Sequence, residues 1–281
     1  TTLYPIIMTF INSTYDMSLL KGTDFQFIGL GNYIKIFSDQ KLLSSIRFTV
    51  IFTVVSMFFH LILGVILALM LNMKIKGKKF LRTIVLIPWA MPMVVAGLAA
   101  RWAFNDQYGL INDLIRRFVP NFHYDWLVHA NSAQGAVIAV DLWKDLPFFA
   151  ILVLAALQFL SADIYEAAKI DGATKWQTLT RVTIPNIMPS ITICLFLTIT
   201  NGFKLFDQNL ALTNGQPFEQ LKDGSVIKTT EMLALNIYNT FYGQSLTGKG
   251  VAQAKAVIFF ILVAGISIIQ LKATRSKEVQ Q

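Results

Sequence analysis

Phe48-Thr-Val-Ile-Phe-Thr-Val-Val-Ser-Met-Phe-Phe-His60-Leu-Ile-Leu-Gly-Val-Ile-Leu-Ala-Leu-Met-Leu71 carries no Asp, Glu, Lys or Arg over its whole length. A helix of roughly 20 mostly apolar residues crosses the hydrocarbon core of a bilayer, so this stretch predicts a transmembrane helix. Working outward, Thr83 to Ala100 and Pro185 to Phe203 are also free of charge and reach that length with their flanks. Leu3 to Tyr15 reads as the outer part of a truncated helix. Gln134 to Leu160 reads as a helix interrupted by Asp141, Lys144 and Asp145, and Val251 to Leu271 as one with only Lys255 near its start. The expected fold is an all-α integral membrane protein with six transmembrane helices. Pro88 and Pro92 in the third span and Pro147 in the fourth remove backbone donors that lipid cannot replace, so kinks are expected where neighbouring protein supports them.

The whole composition agrees. Of 281 residues, 54% are hydrophobic and 14% charged, and the mean hydropathy is +0.55. Residues 1–281 form a single transmembrane domain on this reading, without a soluble domain, repeat array or low-complexity tract. The formal charge of +8 would suit nucleic acid, but the basic residues sit in short segments beside apolar runs, where they face lipid headgroups. Lys74, Lys76, Lys78, Lys79 and Arg82 crowd one connection, and Lys272, Arg275 and Lys277 follow the last span. Positive charge stays in the cytoplasm, which places Asp16 to Ser44, Asn105 to Ala133 and Phe206 to Gly250 outside and Ser161 to Ile184 inside. In the outer loops Tyr124, Trp126, Tyr238, Phe241 and Tyr242 read as interfacial anchors. Cys194 stands alone and forms no internal disulfide. The sequence opens at Thr1 in an apolar stretch, so an N-terminal piece is expected to be missing.

The inner segment reads Ser161-Ala-Asp-Ile-Tyr-Glu166-Ala-Ala-Lys-Ile-Asp171-Gly-Ala-Thr-Lys-Trp176. Ser161 and Asp163 can cap a helix start, and Glu166 favours its positive end. Ile164, Ala167, Ala168 and Ile170 supply a small apolar face, and Gly172 ends the run. Pro185 can then begin the next membrane helix. A short amphipathic helix held inside the cell suits either docking into a partner's groove or lying on lipid.

Glu166-Ala167-Ala168, three residues, Gly172, nine residues and then Val182-Thr183-Ile184-Pro185 resembles the EAA loop of bacterial ABC importer permeases. Val182 and Ile184 stand where that family usually has Ile and Leu, which keeps size and apolarity. Phe27-Ile-Gly-Leu-Gly-Asn-Tyr33, Ile87-Pro-Trp-Ala-Met-Pro92 with Gly97, Trp143, Phe206-Asp207 and Leu212-Thr-Asn-Gly215 extend the resemblance to the maltose-type carbohydrate importers. Gln216 departs from the family's usual second Gly before Pro217. The resemblance implies the type I importer permease architecture in a bacterial plasma membrane, with residues 161–184 as a coupling loop. It implies a heterodimer with a second homologous permease, two cytoplasmic ATPase subunits that hold ATP and Mg2+, and an extracellular sugar-binding protein. ATPase coupling would fall to Glu166, Ala167, Ala168, Asp171, Gly172 and Pro185. The chain itself carries no Gly-x-x-x-x-Gly-Lys-Ser/Thr phosphate loop and no His/Cys cluster spaced for a metal.

Polar groups within a span are costly unless they line a cavity, so they mark a substrate pathway. Asp145 lies nine residues in from Ala136, or about 13 Å, near the bilayer middle. Asp141, Asp145 and Phe148 share a face of the fourth helix, and Lys144 can pair with Asp141. On the fifth helix Asn201, Gly202 and Leu205 occupy one side, and Lys204 can pair with Asp207. These fifth-helix positions, with Trp89 to Met93 on the third, match where the resembling family builds its substrate pocket. His60 alone in an apolar helix reads as a hydrogen-bonded core residue. The resemblance thus implies a non-catalytic permease that carries a sugar, an oligosaccharide by analogy, by alternating access. An ion-coupled secondary transporter using Asp141, Asp145 or His60 is the alternative, and a purely structural scaffold is a third.

Overall fold

The computed structural model describes residues 3–17, 25–73, 76–243 and 248–278. Lys74 of the basic cluster lies outside them, as do the side chains of Arg275 and Lys277. The order is α1 (Leu3–Asn12), β1 (Tyr15–Asp16), β2 (Gln26–Phe27), α2 (Gly31–Phe37), α3 (Gln40–Asn72), α4 (Lys78–Ala90), α5 (Met93–Ala103) and α6 (Leu110–Arg116). Then come α7 (Ala130–Phe159), α8 (Ala162–Ile170), α9 (Lys175–Gln177), a π-helical segment (Thr178–Thr183), α10 (Ile184–Lys204) and α11 (Asp207–Leu212). The chain closes with β3 (Phe218–Gln220), β4 (Val226–Lys228), α12 (Leu233–Tyr242) and α13 (Gly248–Glu278). The expectation of helix alone is modified by two small antiparallel ladders, which set Tyr15 opposite Phe27 and Glu219 opposite Ile227.

Three stretches are long and apolar enough to cross a bilayer: Gln40–Asn72, Lys175–Lys204 and Gly248–Gln270. Two more are helix pairs with a sharp break, α4 with α5 and α7 with α8, so the described residues hold three spans, or five if each pair is one. α1 has ten residues and reaches about 15 Å, half the hydrocarbon thickness. The chain is a mostly helical, multi-pass membrane protein.

Two span boundaries differ from the sequence reading, and proline explains both. The third span is not one kinked helix, because Met91 is extended (φ −72°, ψ 139°) and separates α4 from α5. Pro92 excludes helical backbone from the residue before it and offers no amide. Pro88 and Pro147 instead lie inside α4 and α7. The fifth span starts at Lys175, not at Pro185, which sits early within α10. The π turn just before it widens the backbone, its last bond running from the Ile184 amide to the Leu179 carbonyl, and ends where Pro185 offers no amide.

The described residues fall into two compact units. One is drawn from Thr1–Phe52, Met93–Val137 and Gly202–Ile269, the other from Thr53–Pro92, Ile138–Asn201 and Gln270–Gln281. The first has a core of Ile36, Leu42, Leu233, Val251 and Ala254. In it α5 packs on α11 at a very short distance: a Cβ on Gly97 would lie 2.8 Å from the Ala211 Cβ and 2.9 Å from the Gln208 carbonyl oxygen. The second unit is cored by Val65, Ala68 and Leu71 of α3, Phe149, Val153 and Leu157 of α7, and Ile187, Ile191 and Cys194 of α10.

The connections around Asn112 and Thr230 are folded. Asn112, fully buried, donates to the carbonyls of Asp106 (2.9 Å) and Tyr124 (3.0 Å) and accepts from the Trp126 indole (2.7 Å). Trp126 also packs edge-on against Tyr124 and Phe104, so this ring expected as an interfacial anchor is the centre of a small aromatic cluster. Near Gln216, Thr230 bonds the Thr213 hydroxyl (2.8 Å) and the Gln216 carbonyl (2.6 Å), and Gln216–Pro217 is cis.

Candidate functional site

The segment from Ser161 folds as α8, turned 70° from α7. Ser161 occupies the N-cap position with extended backbone, but its side chain makes no capping hydrogen bond. The other end is closed as the sequence predicts. Gly172 is left-handed (φ 73°), its amide donates to the Lys169 carbonyl (3.1 Å), and the Ala173 amide reaches back to Ala168 (3.0 Å). This is a Schellman ending, which glycine adopts without strain. A Thr174–Gln177 capping box then starts the next helix.

The apolar residues of α8 divide between two faces instead of forming one. Ile164 is half-buried and Ala168 buried, on the side where the Tyr165 hydroxyl accepts from Thr183 of the π segment (3.5 Å). Asp163, Glu166, Ala167 and Ile170, spaced i, i+3, i+4 and i+7, are all exposed and form an open stripe. Asp171, Gly172 and Pro185 are exposed too. Ile170 is 85% exposed and Trp176 70%, large apolar groups that water does not favour. Of the nearby basic residues, Lys76, Lys78 and Lys79 are exposed as expected. Arg82 is turned inward and donates to the Leu71 carbonyl (3.1 Å), with the Gln158 amide oxygen placed to accept a second bond (2.7 Å).

Of the residues expected to line a pathway, the second unit brings Trp89 and Phe148 together: their rings stack with centroids 4.7 Å apart and planes 5° from parallel. Asp145 belongs to the same group, because Lys144 pairs with it (3.4 Å) and not with Asp141. Lys144 also donates to the Trp89 carbonyl (3.4 Å). Asp141 is buried. His60 is a bonded core residue, with Nδ1 at 2.8 Å from the Ser56 carbonyl and its ring against Phe149. Asn201 is exposed, whereas Gly202 and Leu205 in the first unit are buried, so the three do not share one open face. Met93 is half-buried at the start of α5. Lys204 and Asp207 are both exposed and form no ion pair with each other.

Two clusters escaped the sequence reading. Lys255, buried in α13, bonds Asp39 (2.9 Å), Asn236 (2.9 Å) and Thr240 (3.2 Å), and so fastens three segments of the first unit. Asn236 in turn donates to the buried Glu231 carboxylate (2.7 Å). Its visible signal was a lysine near the start of a long apolar run, a group that needs partners when buried. Asp106, His123 and Asp125 also gather, with one ligand atom of each within 4.8 Å of the others and His123 at 3.5 Å from Asp106. The folded loop of residues 105–129, not residue spacing, brings them together.

The profile of the family described as binding-protein-dependent transport system inner membrane component matches residues 60–275. The chain belongs to that family. It is therefore a permease component that performs no chemistry itself, and the ion-coupled alternative is not favoured. It is 35% identical over 254 residues to the probable starch degradation products transport system permease protein AmyD of Thermoanaerobacterium thermosulfurigenes, covering 90% of this chain and 82% of that one. It is 34% identical over 281 residues to the trehalose/maltose transport system permease protein MalF of Thermococcus litoralis, covering 97% and 91%. In fold it matches a chain of the bacterial alginate ABC transporter solved with an alginate pentasaccharide-bound periplasmic protein. That match has a TM-score of 0.81 at 22% identity and covers 98% of this chain and 88% of that one.

Proposed function

We propose that this permease imports a sugar, an oligosaccharide by the kinship of its relatives, by alternating access driven by two cytoplasmic ATPase subunits. The observation that carries the reading is α8. It is a short helix with a firm glycine ending and an outward stripe of Asp163, Glu166, Ala167 and Ile170 that the chain leaves uncovered. Small side chains let a partner's groove approach closely, and Ile170 and Trp176 gain by leaving water. Glu166, Ala167, Asp171 and Gly172 would meet the ATPase. Ala168, buried against the chain's own core, and Pro185, behind the π turn, would hold the loop in shape.

The sugar reading is supported by relatives named for starch degradation products and for trehalose and maltose. The stacked Trp89 and Phe148 offer an aromatic face, and Asp145 and Asn201 offer hydrogen-bonding groups of the kind hydroxyls need. Met93, Gly202 and Leu205 complete the pathway on this reading. α1 would be part of a sixth span. The exposed Lys76, Lys78 and Lys79 would lie in the cytoplasm with α8, and the folded loops of residues 105–129 and 205–243 would lie outside, where a sugar-binding protein docks. A second, homologous permease would complete the pathway, and ATP with Mg2+ would bind only to the ATPase subunits.

The test is uptake of labelled oligosaccharide by cells with the whole system. ATP depletion should abolish uptake, and an ionophore with ATP held constant should not. Loss under ionophore alone would overturn the ATP-driven reading.

A further inference from the structure

α4 ends at Ala90, so the carbonyls of its last turn lose the amides that a longer helix would supply. Within a membrane such groups are costly if left bare. The Pro88 carbonyl accepts from Met91 (3.3 Å). The Trp89 carbonyl is met from another helix, by the Lys144 ammonium of α7 at 3.4 Å. Lys144 is only 5% exposed, and its other partner is Asp145 at 3.4 Å. One turn further along α7, on the same face as Lys144, Phe148 stacks flat on the Trp89 ring.

We infer that Lys144 is a positioning residue. With Phe148 it clasps Trp89 at two points, carbonyl and ring, and so fixes the aromatic face at the broken end of α4. A cation at the carbonyl end of a helix is favoured by the helix dipole, and more strongly where water is excluded. Asp145 balances the ammonium, so the clasp does not bury a lone charge. Neighbours at i and i+1 on a helix normally diverge, and the close approach of Lys144 and Asp145 turns both side chains toward one place. Phe148 alone would leave Trp89 free to tilt, since one stacked contact does not fix both position and angle.

The effect of this clasp on transport rests on the reading of Trp89 and Phe148 as sugar contacts, but the clasp itself can be tested without it. The complete transporter is labelled with 5-fluorotryptophan in nanodiscs, and the Trp89 resonance is assigned by its loss in Trp89→Leu. Phe148→Leu reports the ring-current shift that stacking supplies. Lys144→Met should move the Trp89 resonance in the same direction as Phe148→Leu, and Lys144→Arg should leave it in place. In proteoliposome uptake, Lys144→Met should raise KM about two- to tenfold, as expected for one aromatic contact. That rise should vanish when Trp89 is already Leu. A Trp89 resonance unmoved by Lys144→Met would overturn the clasp, and so would KM effects of Lys144→Met and Trp89→Leu that simply multiply. A resonance that moves while KM stays constant in both variants upholds the clasp and removes Trp89 from the sugar pathway. If Lys144→Met does not assemble, Lys144→Gln, which keeps a donor but no charge, is read in the same way against Lys144→Arg.

Discussion

At Gly97 on α5 one added carbon would lie 2.8 Å from Ala211 and 2.9 Å from a backbone oxygen, whereas at Gly172, after α8, it would meet nothing within 4 Å. Gly97 lies within one short helix and Gly172 just after another, and both fall within stretches that resemble importer permeases. The first exists because another part of the same chain is pressed against it. The second exists because the backbone must turn left-handed, and the space around it is free. α5 with α11 is thus finished within the chain, while α8 keeps its outward stripe of Asp163, Glu166, Ala167 and Ile170 bare.

The harshest test of this contrast is Gly97→Leu. A side chain there must displace the Gln208 carbonyl as well as Ala211, and overpacking of this kind costs about 1–3 kcal/mol or more. Lowered thermal stability of the purified permease, read by scanning fluorimetry, is the expected outcome, and an unchanged melting point would mean that the α5–α11 contact yields easily. Ala167→Trp should do the reverse. It adds bulk to an exposed position, so stability should hold within about 0.5 kcal/mol, while sugar uptake and co-purified ATPase fall about tenfold, the equivalent of 1.4 kcal/mol of lost docking. Wild-type uptake from Ala167→Trp would leave α8 as a helix lying on lipid. Ala168→Trp cannot separate the two effects, because Ala168 is buried against the chain's own core.

Glu166→Lys sharpens the same comparison with a smaller expected effect. An exposed charge at an interface changes association more than folding, so ATPase binding should weaken several-fold at low salt and recover part of the loss at 0.5 M salt. Insensitivity to salt would argue against an ionic role for Glu166. The smallest effect is expected at the turn of the β3–β4 hairpin, where the Ser225 hydroxyl (2.6 Å) and amide (2.9 Å) hold the Asp223 carboxyl below its usual range. A group whose pKa is lowered on folding stabilises above its unfolded value, about 3.9, and that contribution is lost as pH falls through the lower folded value. Protection of the Ser225 amide, its observed exchange rate compared with the intrinsic rate at the same pH, should therefore fall under acid in the wild type and be absent at every pH in Asp223→Ala.

Much of this contrast can be read in the sequence, though unequally. Gly172 is visible because local chemistry sets it: Ile170, Asp171 and Gly172 end a helix by the rules of the last turn. The spans around Phe48 to Leu71 are equally plain, since the absence of charge over that length has one common meaning. Gly97 can be quoted from a motif but not explained, because its neighbours Gln208 and Ala211 lie more than a hundred residues away in sequence. Sequence separation also hides the clasp, where Trp89 and Lys144 are 55 residues apart. Spacing along α7 alone suggests Asp141 as the partner of Lys144, and it misses Asp145 because side-chain torsions, not backbone periodicity, bring that pair together. Pro185 does mark the first turn of α10, but not the start of the span, because a π turn, which has no clear sequence signature, joins α10 to the helix before it.

That π turn has a further consequence for length. A six-residue π segment holds about one residue more than an α-helix needs for the same rise, and each residue of an α-helix turns the chain by about 100°. Removing any single residue from Thr178–Thr183 would restore α register and swing Lys175, Trp176 and the segment before them about a quarter-turn around the axis of α10. The composition of every apolar span would stay as it is. Which way the loop carrying α8 points is therefore encoded as a count of residues, and an insertion or deletion there would re-aim α8 without changing any group on its surface.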